Sequence, residues 1–145
     1  MKIAHDALVM VLDGEKMLLL RNEGDSEHPN LKMEDVTKQE NPADRDLGES
    51  PPGRMAGSGG ARSSVEETDY HQQAEDRFAL EAVEMLNRRA MSNDFEQLLI
   101  VAAPITLGVM RKKYHKTLED RIVGEIAKTM TSHPINEIEE TISKA

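Results

Sequence analysis

The chain has no cysteine and no tryptophan, and only two phenylalanines and two tyrosines. Without cysteine there is no disulfide, no cysteine-ligated zinc and no thiol nucleophile. With so few aromatics the core falls to aliphatic side chains and nine methionines. Methionine fills irregular gaps with less geometric specificity than a ring does. No apolar run approaches the roughly 18 residues that a bilayer crossing needs. The opening stretch MKIAHDALVM carries one lysine and is broken by Asp6, so it does not read as a secretory signal. A cytoplasmic protein without membrane insertion is therefore expected. Positive charge is also scarce. The net charge is −9, which opposes non-specific binding to nucleic acid or anionic membrane. No phosphate-binding P-loop, HExxH or Ser-His-Asp order occurs. No assembled catalytic site, metal site or small-molecule cofactor is expected.

What is present reads as one α/β domain of 145 residues. It is organised around Gln97–Gly108, QLLIVAAPITLG. Leu98 to Ala103 is apolar throughout, short, and closed by Pro104. That is the pattern of a strand buried on both faces. Ala7 to Leu12 and Lys16 to Arg21 are two further apolar runs on either side of Asp13-Gly14. They read as a hairpin whose glycine accepts a positive φ. Leu31 to Val36 alternates weakly and carries charge, which suits an edge strand that resists pairing with other molecules.

Residues 41–64 depart in composition, with Pro42, Pro51, Pro52 and five glycines among few apolar residues. Such a segment reads as a long mobile loop within the domain. Glu66 to Arg89 is the longest expected helix. Ala74, Phe78, Ala82, Met85 and Leu86 form its stripe. Ser64 or Thr68 would cap its start, and Arg88-Arg89 suit its negative end. A shorter helix is expected over Thr106 to about His115, with Leu107 and Met110 inward. Arg121–Met130 fits either a helix or one face of a strand. Pro134 suits the first turn of a last helix buried through Ile135, Ile138 and Ile142.

Three blocks carry a resemblance. They are His71-Gln-Gln-Ala-Glu-Asp-Arg-Phe-Ala79, then Leu99-Ile-Val-Ala-Ala-Pro104 with Thr106-Leu-Gly108, and Glu125-Ile-Ala-Lys128 with His133-Pro134. Over nearly its whole length the chain resembles the bacterial host-attachment protein family. That family is a distant relative of the central domain of archaeal and eukaryotic peptide-release factors and of Pelota. The resemblance favours a strand at Arg121–Met130. The order becomes β-β-β-loop-α-β-α-β-α, with three helices. Right-handed crossovers then give a mixed five-stranded sheet in order 3-2-1-4-5, a ribonuclease-H-like arrangement similar to the release-factor central domain.

In release factors a Gly-Gly-Gln loop enters the peptidyl-transferase centre, where its glutamine helps position water against the ester. Here Gly57, Ser58, Gly59, Gly60 and Ala61 occupy the matching place, with Ala61 where glutamine would stand. The resemblance thus implies a binding module without hydrolytic activity, in contact with the ribosome or RNA. Glycines there would allow close approach to a phosphate, or serve as a plain linker. His71, Gln72 and Gln73 would line a polar groove below the loop. His71 and Glu75, spaced i,i+4, pair on a helix surface more readily than they ligate a metal with no third ligand. Arg111, Lys112, Lys113 and Lys116 form the one dense basic cluster, with Tyr114 available to stack on a base; a solvated helix end is the plainer reading. Two other functions remain open. One is a protein-interaction factor supporting bacterial attachment to host cells or surfaces, with the acidic long helix as its partner face. The other is a hydrolase of the peptidyl-tRNA type, against which Ala61 counts.

Overall fold

The computed structural model describes residues 1–39 and 60–145, and the side chains of its long helix from residue 69 onward. Five strands form one open sheet: β1 (Leu8–Leu12), β2 (Lys16–Asn22), β3 (Leu31–Lys38), β4 (Leu98–Ala102) and β5 (Ile122–Ile126). Their order is β3-β2-β1-β4-β5, as the crossover rule requires. β1 pairs antiparallel with β2, from Leu8↔Arg21 to Leu12↔Met17. It pairs parallel with β4, from Leu8↔Leu98 to Leu12↔Ala102.

The continuous apolar runs are explained by two cores. Successive side chains point to opposite faces, so each central strand supplies both. Leu8, Met10, Leu12, Leu19, Leu98 and Ile100 face the long helix α1 (Gly60–Met91) and bury Phe78, Ala82, Val83 and Leu86. The helices α2 (Pro104–Arg111) and α3 (Lys116–Glu119) add Leu107, Met110 and Leu118 to that core. Val9, Val11, Leu18, Leu20, Leu99 and Val101 face the other way. They pack with Ile138 and Ile142 of the last helix, α4 (Ile135–Lys144).

Several expected boundaries move, each for a physical reason. The helix expected over Thr106 to about His115 runs instead from Pro104 to Arg111, and a short further helix, Lys116–Glu119, follows it, which makes four among the described residues. The residues between α2 and α3 are held in a turn by Asn87. β5 ends at Ile126, short of Met130, because its neighbour β4 stops just before Pro104 and the last β4–β5 pair is Val101↔Ile126. α1 begins at Gly60, so 60–64 is helix and not loop, and Ser64 and Thr68 lie within the helix instead of capping it. Once residues 74–90 are packed, propagation adds a hydrogen bond for each residue fixed, and Ala61 and Arg62 are good helix formers. Gly14 does not take the left-handed conformation. The hairpin turn is instead fixed by Asp13, whose Oδ1 accepts from the N–H groups of Glu15 and Lys16, both at 2.7 Å.

α1 ends in a Schellman motif. Asn93 has φ of 58°, and the N–H groups of Asn93 and Asp94 donate to the carbonyls of Ala90 and Arg89. This satisfies carbonyls that a helix end otherwise leaves open. At the same corner Arg21 and Arg89 alternate with Glu34 and Asp94 in a ring of ion pairs of 2.7–3.1 Å. Burial opposes charge on Asp94, but the two guanidiniums outweigh it and hold the carboxyl below the usual aspartate range.

Candidate functional site

The basic segment follows α2, whose C-cap is Lys112. Met110 is fully buried and accepts from the N–H of Lys113 through its carbonyl. The turn from Lys113 to His115 is clamped by one side chain. Asn87 Nδ2 donates to the Lys113 carbonyl at 3.1 Å, and Asn87 Oδ1 accepts from the His115 N–H at 3.1 Å. Asn87 is buried on α1, so these bonds are shielded from water and the turn is fixed to the main helix.

The cluster is less charged than its sequence suggests. Arg111 pairs with Glu125 of β5 at 2.7 Å, and that carboxylate holds the guanidinium pKa above its ordinary value. Lys116 pairs with Asp120 at 3.6 Å. Among the described residues Lys112 and Lys113 are exposed and make no ion pair. Tyr114 is not presented for base stacking. Its ring packs against the first core, and its hydroxyl donates to Glu125 Oε2 at 2.9 Å. Burial first, and then that carboxylate, raise its pKa. The arrangement offers two free ammonium groups on a rigid turn, suited to phosphate oxygens or carboxylates as point charges.

The other expected patch lies elsewhere. Gly57, Ser58 and Gly59 fall outside the described residues, and Gly60 and Ala61 open α1. His71, Gln72 and Gln73 are exposed on the same helix. Gln72 is bonded to Asp76 at 2.9 Å. Glu75 lies across the hairpin turn, where a β-carbon on Gly14 would meet its carboxylate oxygen at 2.8 Å. From Gln73 to Asn87 is about 21 Å along the helix axis, so the two patches are separate sites. Among the described residues no group of three or more His, Asp or Glu side chains could hold a metal ion. Nor is any helix there long and apolar enough to cross a membrane. Asn87 is the residue that sequence reasoning missed. Its signal is a polar side chain set among Val83, Leu86 and Ala90 on the apolar face of α1.

The fold and this turn define a single-domain α/β protein with an open five-stranded mixed sheet, bearing a small cationic surface. The family model for bacterial archaeo-eukaryotic release factor family 12 matches residues 6–142. The chain belongs to that family. No curated protein matches it.

Proposed function

We propose that the protein is a non-enzymatic module that associates with the ribosome, or with RNA more generally, through the lysine turn between α2 and α3. The observation that carries this reading is membership of a release-factor family in a chain whose free cations Lys112 and Lys113 sit on a turn pinned by Asn87. Against a net charge of −9, a fixed local pair of cations is a sounder route to phosphate than bulk charge. The non-enzymatic part of the reading rests on Ala61, which stands where the resemblance places the hydrolytic glutamine.

The test is co-sedimentation with ribosomes across a salt series. The wild type should pellet with ribosomes at low salt. The variant carrying Lys112→Glu and Lys113→Glu should bind more weakly, with a log–log salt slope shallower by about 1.5, since each lost phosphate contact removes roughly 0.7–0.9. A wild type that stays in the supernatant, or a variant with an unchanged slope, would remove the proposal. Cleavage of a peptidyl-tRNA ester by the purified protein would overturn its non-enzymatic part.

A further inference from the structure

The face of the sheet opposite the lysine turn carries a feature that ribosome or RNA binding does not use. Among the described residues α4 covers this face only in part. Beyond it, on β2 and β3, an open groove of about 580 Å³ runs beside residues 131–135. Its floor includes Leu18, and Met33 and Val36 form its wall, each 43% exposed on a strand whose other exposed residues are polar. At one end stand Lys16 and Lys38, directly opposite each other in the β2–β3 register. Gln39, the next residue, turns to α1 and bonds the Ala74 carbonyl. Lys38 therefore projects to the α4 face with Lys16.

Like charges directly opposite on paired strands repel, and among the described residues neither ammonium has an ion-pair partner. Of the carboxylates near the groove, Asp13 and Glu137 are engaged elsewhere, and Glu15 stands exposed in the hairpin turn. Asp13 takes the Thr131 hydroxyl and two backbone N–H groups, and Glu137 pairs with His133 at 2.7 Å. An apolar groove ending in two uncompensated cations is complementary to a ligand that is apolar on one side and acidic at its margin.

We propose that this groove docks the apolar face of an acidic amphipathic helix contributed by a protein partner, laid on the sheet beside α4. Addition of a strand to β3 fits less well. The edge is bulged opposite Leu19 and Leu20, and Asp35 Oδ1 already accepts from the Val36 N–H at 2.9 Å, which blunts the edge as charged edges do. A symmetric contact with a second copy would bring the lysines of both molecules into one interface with no carboxylate from the groove lining to offset them, because such an interface uses the same patch twice.

The probe is a synthetic amphipathic helical peptide with leucines along one face and glutamates flanking them, titrated into the labelled full chain and followed by amide NMR. Saturable shifts are expected at Lys16, Leu18, Met33, Val36 and residues 131–135. Replacing both lysines by Glu should weaken binding about tenfold or more, since it loses attraction and adds repulsion. Lys38→Glu alone should weaken binding while raising the melting temperature by about 1–3 °C, because it turns a like-charge cross-strand pair into an opposite one. A residue kept for stability would not behave that way. The proposal fails if no saturable shift appears on these residues, or if a peptide with lysines for glutamates binds equally well. It also fails if the same residues shift with protein concentration alone, which would make a second copy the occupant. Ribosome binding is read on the other face, so either proposal can fall without the other.

Discussion

Asn22 should be among the most costly polar residues to replace. It is fully buried at the end of β2. Its amide donates to the carbonyls of Ile3 at 3.2 Å and Ala4 at 3.0 Å, with a longer contact to Asp25 at 3.4 Å. Its oxygen accepts from the N–H groups of Gly24 at 3.0 Å and Asn30 at 2.9 Å. One side chain thus ties the N-terminal segment to the loop that follows the hairpin. Asn22→Leu keeps the branching and heavy-atom count of the side chain and strands these four strongly bonded backbone groups. A buried group left unpaired costs about 1–3 kcal/mol. Ile3 is shielded, whereas Asn30 is exposed and can recover water, so the sum is about 3–4 kcal/mol rather than the maximum. Against a total stability of about 5–15 kcal/mol that is a large share, and it lowers the melting temperature by about 10 °C. Urea unfolding followed by circular dichroism gives the value directly, with an unchanged m-value showing that the unfolded state is not altered. A loss below about 1 kcal/mol would refute the reasoning, because it would mean that solvent replaces every bond Asn22 makes. Asn22→Asp supplies a control: it keeps the acceptors but aims a carboxylate at carbonyls. Its stability should recover as pH falls toward 4, where the acid regains a proton to donate.

Asn87→Leu should cost about 2 kcal/mol in the same urea assay and speed amide exchange at His115, whose N–H loses its acceptor; unchanged exchange would show that the basic turn is held by other means. The ring of Arg21, Arg89, Glu34 and Asp94 should contribute acid-sensitive stability. The Asp94 carboxyl is depressed in the folded state, so its contribution is complete above the ordinary aspartate value of about 3.9 and fades as pH drops below it through the lower folded value. Asp94→Asn should therefore destabilise by about 1 kcal/mol at pH 7 and make less difference near pH 2; an equal deficit at both values would refute an electrostatic origin.

Much of the fold was legible before any coordinates. Leu8–Leu12, Met17–Leu20 and Leu98–Ala102 are apolar on both faces, which only an interior strand can accommodate, and the tight hairpin together with right-handed crossovers leaves few topologies. The stripe from Ala74 to Leu86 likewise announced the helix and the face it buries. What could not be read was anything that depends on which distant residues meet. Tyr114 looked available to a base until Glu125, on β5, took its hydroxyl. Arg111 looked like a free cation until the same carboxylate neutralised it. Asn87 and Asn22 carried no local sign of the backbone segments they hold.

The order of apolar and polar residues along the chain therefore determined most of the strands and helices and the faces they bury, Arg121–Met130 excepted, because burial follows side-chain periodicity and each of those segments carries its own. The tertiary structure alone decided which charges are spent and which are left over: Arg111 paired, and, among the described residues, Lys112 and Lys113 without an ion pair and Lys16 and Lys38 facing one another without a counter-ion. A charge interacts with whatever the fold brings within a few ångströms, and for these residues that neighbour is many positions away in sequence.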